Sequence, residues 1–186
     1  MAAGAIVHFR AMAYNNAWCN HRIYGACAKL SQEELDAKRE SFFPSIMKTL
    51  NHNLTVDWFY VDALEGGRLG PDAWTDPHPC KTLGEFKTAQ KKTDQRLIAF
   101  TQALSPGGLE RDVRMNRKTH DQVERTDRVL LHLFLHQVHH RGQVHAMLAG
   151  TSVKPPQLDE FFMADEAGIR AADFKIMGIS EKDVWG

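Results

Sequence analysis

The longest uninterrupted helical pattern in the chain ends at Leu148, and it constrains the fold more than any other segment. Apolar residues recur there at spacings of three and four, the period of one face of an α-helix. Thr126 or Asp127 offers an N-cap for this helix, and Gly150 ends it. The segment therefore predicts a long amphipathic helix in the second half of the chain.

Three earlier segments repeat the same period. They cover about residues 6–30, 41–64 and 82–104. For the second segment, Ser41 can cap the helix and Pro44 is tolerated in its first turn. For the third, Thr82 and Glu85 have the spacing of a capping box. Four long amphipathic helices predict an all-α fold, namely a four-helix bundle.

The segments between these helices predict smaller elements. Residues 31–34 fit a capping box that opens a short helical turn. Residues 109–123 are polar and weakly alternating, which predicts a short β-hairpin before the fourth helix, turning near Thr119 to Asp121. Leu158 to Phe174 is expected to hold one or two short helices packed across the bundle. We therefore expect one four-helix-bundle domain over residues 1–186.

Composition excludes several classes of protein. The 186 residues are 43% hydrophobic and 25% charged, which is ordinary for a globular domain. The 23 basic and 23 acidic residues balance, so neither nucleic acid nor an anionic membrane is indicated as a partner. Three cysteines, an odd number, are expected to be reduced thiols of a cytoplasmic protein. Met1 to Val7 is too short for a signal peptide, and no apolar run approaches the ~20 residues that span a bilayer.

The fourth helix carries a polar patch of histidines. His136 and His140 are four residues apart, so their imidazoles lie side by side and can hold one divalent metal ion. A polar patch on the inner face of a bundle is costly unless it is paired or binds a ligand. His139 could replace His140 as a ligand, but the four-residue step suits two imidazoles better. His139 and Gln143 are then expected to orient the ligands or a bound water.

His52, on the second helix, is the candidate for a third ligand. It lies amid apolar residues and could complete a site with His136 and His140, because helices face each other in a bundle. Three neutral protein ligands with an open position form the catalytic arrangement of zinc and related metals. The pattern His-x-x-x-His lacks the glutamate of the His-Glu-x-x-His metalloproteases. The alternative is that these are interior imidazoles with ordinary hydrogen bonds.

Five segments resemble the DinB/YfiT-like family over nearly the whole chain. They are Tyr14–Arg22, Leu50–His52, Asp57–Trp58, His136–His145 and Pro155–Asp159. The most specific of these segments is His136–His145 in the fourth helix, which contains the His-His-Arg-Gly-Gln sequence. Two departures from the family pattern are Leu135, where an Asn is expected, and Phe161-Phe162-Met163, in place of an Ile-Tyr-Phe-like run.

The resemblance implies more than the residues do by themselves. It implies a bundle of up-down-down-up type, often a homodimer, and a divalent metal, nickel or zinc, held by three histidines. Those ligands correspond to His52, His136 and His140. Relatives include transferases and isomerases that depend on a low-molecular-weight thiol.

These observations lead to an expectation about function. We expect a metal-dependent enzyme with an unknown small-molecule substrate, either thiol-dependent and transferase-like or hydrolase-like. The catalytic residues stay unassigned. The alternatives are a non-catalytic metal-binding or stress-response bundle protein, and an interaction bundle whose histidine cluster is vestigial.

Overall fold

The protein is mostly helical with one small sheet. A computed structural model describes residues 2–159 and 163–186. Its elements are α1 (Ala2–Cys27), α2 (Gln32–Asp36), α3 (Ile46–Leu64), α4 (Leu83–Gln102), β1 (Asp112–Asn116), β2 (Asp121–Arg125), α5 (Thr126–Ala149), α6 (Ala167–Met177) and α7 (Glu181–Trp185). The prediction of a mostly helical chain with a hairpin before its fourth long helix is confirmed.

The four long helices pack against one another in pairs. α1 contacts α4 and α5, and α3 contacts the same two helices. Their apolar stripes meet in two large clusters of buried side chains, one around Leu54 and Phe86 and the other around Phe59 and Leu130. No helix within the described residues is both long and apolar enough to cross a membrane.

Two predicted capping boxes begin helices where the sequence placed them. The Ser31 hydroxyl accepts a hydrogen bond from the Glu34 backbone N–H at 3.2 Å, and α2 follows. The Thr82 hydroxyl accepts one from the Glu85 N–H at 3.2 Å, and α4 follows. Each glutamate bonds back to the cap, so local sequence alone fixes these two helix starts.

The predicted start of α3 was wrong by one turn. Ser45, not Ser41, is the N-cap, and its hydroxyl accepts a hydrogen bond from the Lys48 N–H at 3.2 Å. Pro44 lies before the helix, where its carbonyl accepts a hydrogen bond from the Arg39 N–H. That contact closes the preceding loop, so the chain turns into α3 only after the proline.

The predicted cap of α5 was also wrong. Arg125 occupies the N-cap position without a side-chain cap. Thr126 instead donates its hydroxyl to the carbonyl oxygen of Arg111 at 2.9 Å. The threonine therefore fastens α5 to the segment before β1, a long-range contact that competes with local capping.

The β-hairpin closes one end of the helical core. Arg114 pairs with Val123 in an antiparallel register. Val113 and Met115 alternate with exposed residues and pack into the cluster around Phe59. The hairpin thus supplies apolar side chains that cover the end of α3 and α5.

The C-terminal segment packs on α1. In the range Leu158 to Phe174, where one or two short helices were predicted, residues 160–162 lie outside the described residues, and a 3₁₀ helix (Ala164–Glu166) and α6 follow them. α7 was not predicted. The Trp18 indole of α1 donates a hydrogen bond to Asp173 of α6 at 2.9 Å. Phe174 and Val184 are buried against the same part of α1. These contacts hold α6 and α7 against α1.

A buried carboxylate of α3 joins α4 and α5. Asp57 is fully buried. Gln90 of α4 donates from its Nε2 to Asp57 Oδ2 at 2.8 Å and to Asp94 Oδ1 at 3.0 Å. Gln137 of α5 donates to Asp57 Oδ1 at 3.1 Å. Three helices are therefore linked through one side chain in the core.

Arg141 of α5 extends this buried network to α1. Its guanidinium donates to the side-chain oxygens of Asn16 and Asn20. Both asparagines in turn donate to Asp94, at 3.1 Å each. Arg141 forms no ion pair with another described residue and is held by these amides instead. The network now includes all four long helices.

Asp57 should make stability fall as pH rises. Burial, with a smaller contribution from the nearby Asp94, raises the pKa of Asp57 to about 7, although the hydrogen bonds from Gln90 and Gln137 oppose the rise. The folded state therefore keeps a proton that the unfolded chain has already lost above its pKa of ~3.9. The contribution of Asp57 to stability is therefore complete below the pKa of the unfolded chain, and it is lost as the pH rises through the folded-state pKa of about 7. Wild type should lose about 2 kcal/mol between pH ~5 and ~8 from this group.

The variant Asp57→Asn should lack that loss. The oxygens Gln90 Oε1 and Gln137 Oε1 have no partner among the described residues. Rotation of either amide lets its oxygen accept a hydrogen bond from the introduced side chain. Thermal unfolding of both proteins across this pH range measures the difference, and identical pH profiles would contradict the assignment.

Candidate metal site

Two packed helices bring the three predicted ligands together. His52 lies in the second turn of α3, and His136 and His140 lie one turn apart on α5. One ring nitrogen from each residue lies within 4.8 Å of the others. The distance from His52 Nε2 to His136 Nε2 is 3.2 Å. The three imidazoles therefore converge on one point between α3 and α5.

This geometry is compatible with one metal ion. Metal–imidazole distances are ~2.0–2.1 Å, so two nitrogens on a shared ion lie roughly 3–3.5 Å apart. The separation of 3.2 Å between His52 and His136 is in that range. His136 Nδ1 is buried and has no partner within the described chain, so the Nε2 side of this ring makes its polar contact. The donor set, three imidazoles, suits zinc, nickel and copper.

Burial keeps these histidines neutral. Burial, with a smaller contribution from the nearby His140, lowers the pKa of His52 to about 4. Burial lowers the pKa of His136 to about 3, with added effects from His140 and His52. The pKa of His140 is also lowered, again chiefly by burial. Neutral imidazoles have a free lone pair, which is the form that binds a metal.

Gln143 forms a hydrogen bond with one of the imidazoles. His140 Nδ1 donates to Gln143 Oε1 at 2.8 Å, which leaves His140 Nε2 without a proton. Gln143 Nε2 contacts His139 Nε2 at 3.2 Å. His139 is exposed, and its ring lies edge-on to His140 with centroids 4.9 Å apart. His139 and Gln143 thus form a chain behind His140, and their supporting role remains a prediction.

Phe43 forms a wall of the site that sequence reasoning missed. Its ring stacks on His52 with centroids 4.2 Å apart and lies 5.6 Å from His140. Phe43 belongs to the loop before α3, where no periodic pattern marks a residue as buried. The available signal was its position, one residue before a proline and shortly before the helix that contains His52.

A cavity of about 350 Å³ lies beside Gln143, and none of the three histidines is among the described residues that line it. It is lined by Arg39 and Ser41 of the loop before α3 and by Gln143 of α5. Gln143 contacts His140 at Nδ1, so the cavity lies on the Nδ1 side of that ring. The wall of the site itself is apolar and is formed by Phe43.

Several other histidines do not join the site. His132 is exposed, and its ring lies 5.1 Å from Tyr60. His145 contacts the carbonyl oxygen of Pro156 at 2.9 Å.

Of the two departures from the family pattern, Leu135 is 61% exposed and faces away from the histidines. Phe161 and Phe162 lie outside the described residues.

The comparison with protein families agrees with the sequence resemblance. Residues 6–173 match the DinB family. The chain belongs to the DinB family. The matched segment includes the three converging histidines of this DinB-family protein, Gln143 and the whole of α3, α4 and α5. A search of curated proteins found no match.

Replacing Gln143 should weaken metal binding without removing a ligand. Gln143→Leu deletes the acceptor for His140 Nδ1, and loss of such a contact costs about 10–100-fold in metal affinity. His136→Ala should cause a larger loss. Titration of each purified variant with Ni²⁺ by calorimetry measures both effects.

His132→Ala is the matched control, since it removes an exposed histidine one turn before His136 on the same helix. Its affinity should equal that of wild type. An affinity of His136→Ala equal to that of the control would exclude the three-histidine site.

Proposed function

We propose that this protein is a metal-dependent enzyme of the DinB family that holds one divalent ion through His52, His136 and His140. The observation that supports the proposal is the convergence of three ring nitrogens from two helices within 4.8 Å. Nickel or zinc is the proposed ion, because neutral imidazole is a preferred ligand of both.

The arrangement favours an open site over a closed structural one. Structural zinc sites have four protein ligands, whereas catalytic sites have three and keep one position for water or substrate. The described residues supply three histidines here. The cavity of about 350 Å³ that Gln143 lines is the proposed place for a substrate.

The proposed reaction is either a thiol-dependent transfer or a hydrolysis. A bound divalent ion lowers the pKa of a water or thiol that it coordinates and polarises a substrate as a Lewis acid. Gln143 would hold His140 in the tautomer that binds the ion. Phe43 would shield the face of His52 from water. A low-molecular-weight thiol is the proposed co-substrate, and its charged groups fit the cavity near Arg39.

We also propose the bundle of up-down-down-up type as a single domain over residues 1–186. Its support is the pairing of α1 and α3 with both α4 and α5. The long connection formed by residues 65–82 allows α3 and α4 to run in the same direction. A cytoplasmic location, without nucleic acid or membrane as partner, stays part of this proposal.

A homodimer is proposed from an exposed apolar stripe on α5. Leu131, Leu135 and Val138 are spaced by four and three residues and are 55%, 61% and 49% exposed. Such spacing places all three side chains on one face of the helix. Contiguous exposed apolar patches of this kind are typical of association sites.

Metal content tests the first part of the proposal. Protein purified without a histidine tag should contain about one nickel or zinc ion per chain, because the site has one set of three converging nitrogens. Elemental analysis measures the ratio, and the His136→Ala, His140→Ala double variant should contain none. A wild-type ratio near zero after growth with both metals would overturn the metal site.

Turnover tests the second part. Metal-loaded protein should react low-molecular-weight thiols with electrophiles, or hydrolyse esters or amides, and His52→Ala should abolish the activity. His132→Ala should keep it. Metal binding without turnover across such a panel would instead favour the non-catalytic metal-binding or stress-response protein.

A further inference from the structure

A second cavity, of about 460 Å³, lies between α1, α4 and the turn that joins α6 to α7. Ile98 of α4, Met177 at the end of α6 and Ile179 of the turn give it an apolar wall. None of the three candidate metal ligands is among the described residues that line it. Its volume is in the range of small-molecule sites, ~300–1,000 Å³. The family comparison assigns no role to it.

The inner end of this cavity is polar and incompletely bonded. Tyr24 is 5% exposed, and its hydroxyl has no hydrogen-bond partner among the described residues. Burial raises the pKa of Tyr24 well above its usual value, so the phenol is neutral and can donate. Asp94, 7% exposed, accepts three hydrogen bonds at Oδ1 but only one, from Asn20, at Oδ2. One donor and one acceptor are thus available to a ligand.

The rim of the cavity is positively charged. Lys87 and Lys91 lie on successive turns of α4, line the cavity and are exposed. Neither forms an ion pair with another residue that the structure describes. Lys91 precedes Asp94 by three residues and Lys87 precedes it by seven, so the axial separations are about 4.5 and 10 Å. An anionic group at the rim would therefore lie several ångströms from the polar inner end.

We propose that this cavity binds a small hydroxylated organic acid, with its hydroxyl at Tyr24 and Asp94, its apolar body against Ile98 and its carboxylate at Lys87 and Lys91. A hydroxyl both accepts and donates, so it satisfies Tyr24 and Asp94 together. A carboxylate forms charge-assisted hydrogen bonds with lysine. An aromatic or branched hydrocarbon group in the middle of such an acid would pack against the apolar wall. This site is separate from the proposed metal site.

The test uses two probes that differ by one hydroxyl, para-hydroxyphenylpropionate and phenylpropionate. Both should bind the full-length protein saturably, one per chain, in isothermal titration calorimetry. The hydroxylated probe should bind about tenfold more tightly, the value of one well-formed hydrogen bond to a charged network. In Tyr24→Phe the two affinities should converge, with phenylpropionate unchanged. The ring contact of Tyr24 with Phe86 is preserved in this variant.

Charge at the rim is tested separately. Lys87→Gln combined with Lys91→Gln should weaken both probes by about tenfold or more. Lys92→Gln is the matched control, because Lys92 is exposed on the same helix but lines a different groove. Its affinities should equal those of wild type. Binding should also be unchanged in His136→Ala, which separates this cavity from the metal site.

Two results would overturn the proposal. One is the absence of binding of either probe to wild type at millimolar concentration. The other is equal affinity for wild type, Tyr24→Phe and the double lysine variant, which would place the probes elsewhere. Ala99→Trp gives an independent readout, since Ala99 lines the cavity and is exposed, so the variant should fold and block both probes. Thermal unfolding of each variant checks its fold.

Discussion

The four long helices meet at one buried network of carboxylates, amides and a guanidinium. Asp57 of α3 and Asp94 of α4 are its acceptors, Gln137 and Arg141 are its members on α5, and Asn20 is one of its members on α1. Buried polar groups are costly when unpaired, so each helix can shift only by breaking hydrogen bonds in a low-dielectric core. The apolar stripes allow many packing arrangements, whereas this network favours one.

The same network explains how the candidate metal site is held. Gln137 directly follows His136, and Arg141 directly follows His140. Asp57 comes five residues after His52 on α3 and bonds to Gln137. The rotation and height of α5 relative to α3 are therefore fixed at the level of the histidines. The three ring nitrogens therefore converge because neighbouring residues on α3 and α5 make these contacts, and the histidine rings do not.

Local signals predicted much of the fold. Thr82 with Glu85, and the helical period around them, fixed the start of α4 because both partners lie within one turn. The same reasoning failed at Thr126, whose hydroxyl binds Arg111 fifteen residues away. It also missed Phe43, a half-buried loop residue whose ring stacks on His52 and which no periodic pattern marks. Errors arose where a long-range partner replaced the local one.

The sequence by itself determined the helical segments, the spacing of His136 and His140 and the resemblance to the DinB family, because each depends on residues near one another or on motifs. Tertiary structure alone decided that His52 Nε2 lies 3.2 Å from His136 Nε2 and that Gln143 forms a hydrogen bond with His140. It also decided that a cavity forms between α1, α4 and the C-terminal turn. These features require helices distant in sequence to pack with one particular rotation of each helix about its own axis, and no local spacing encodes that rotation.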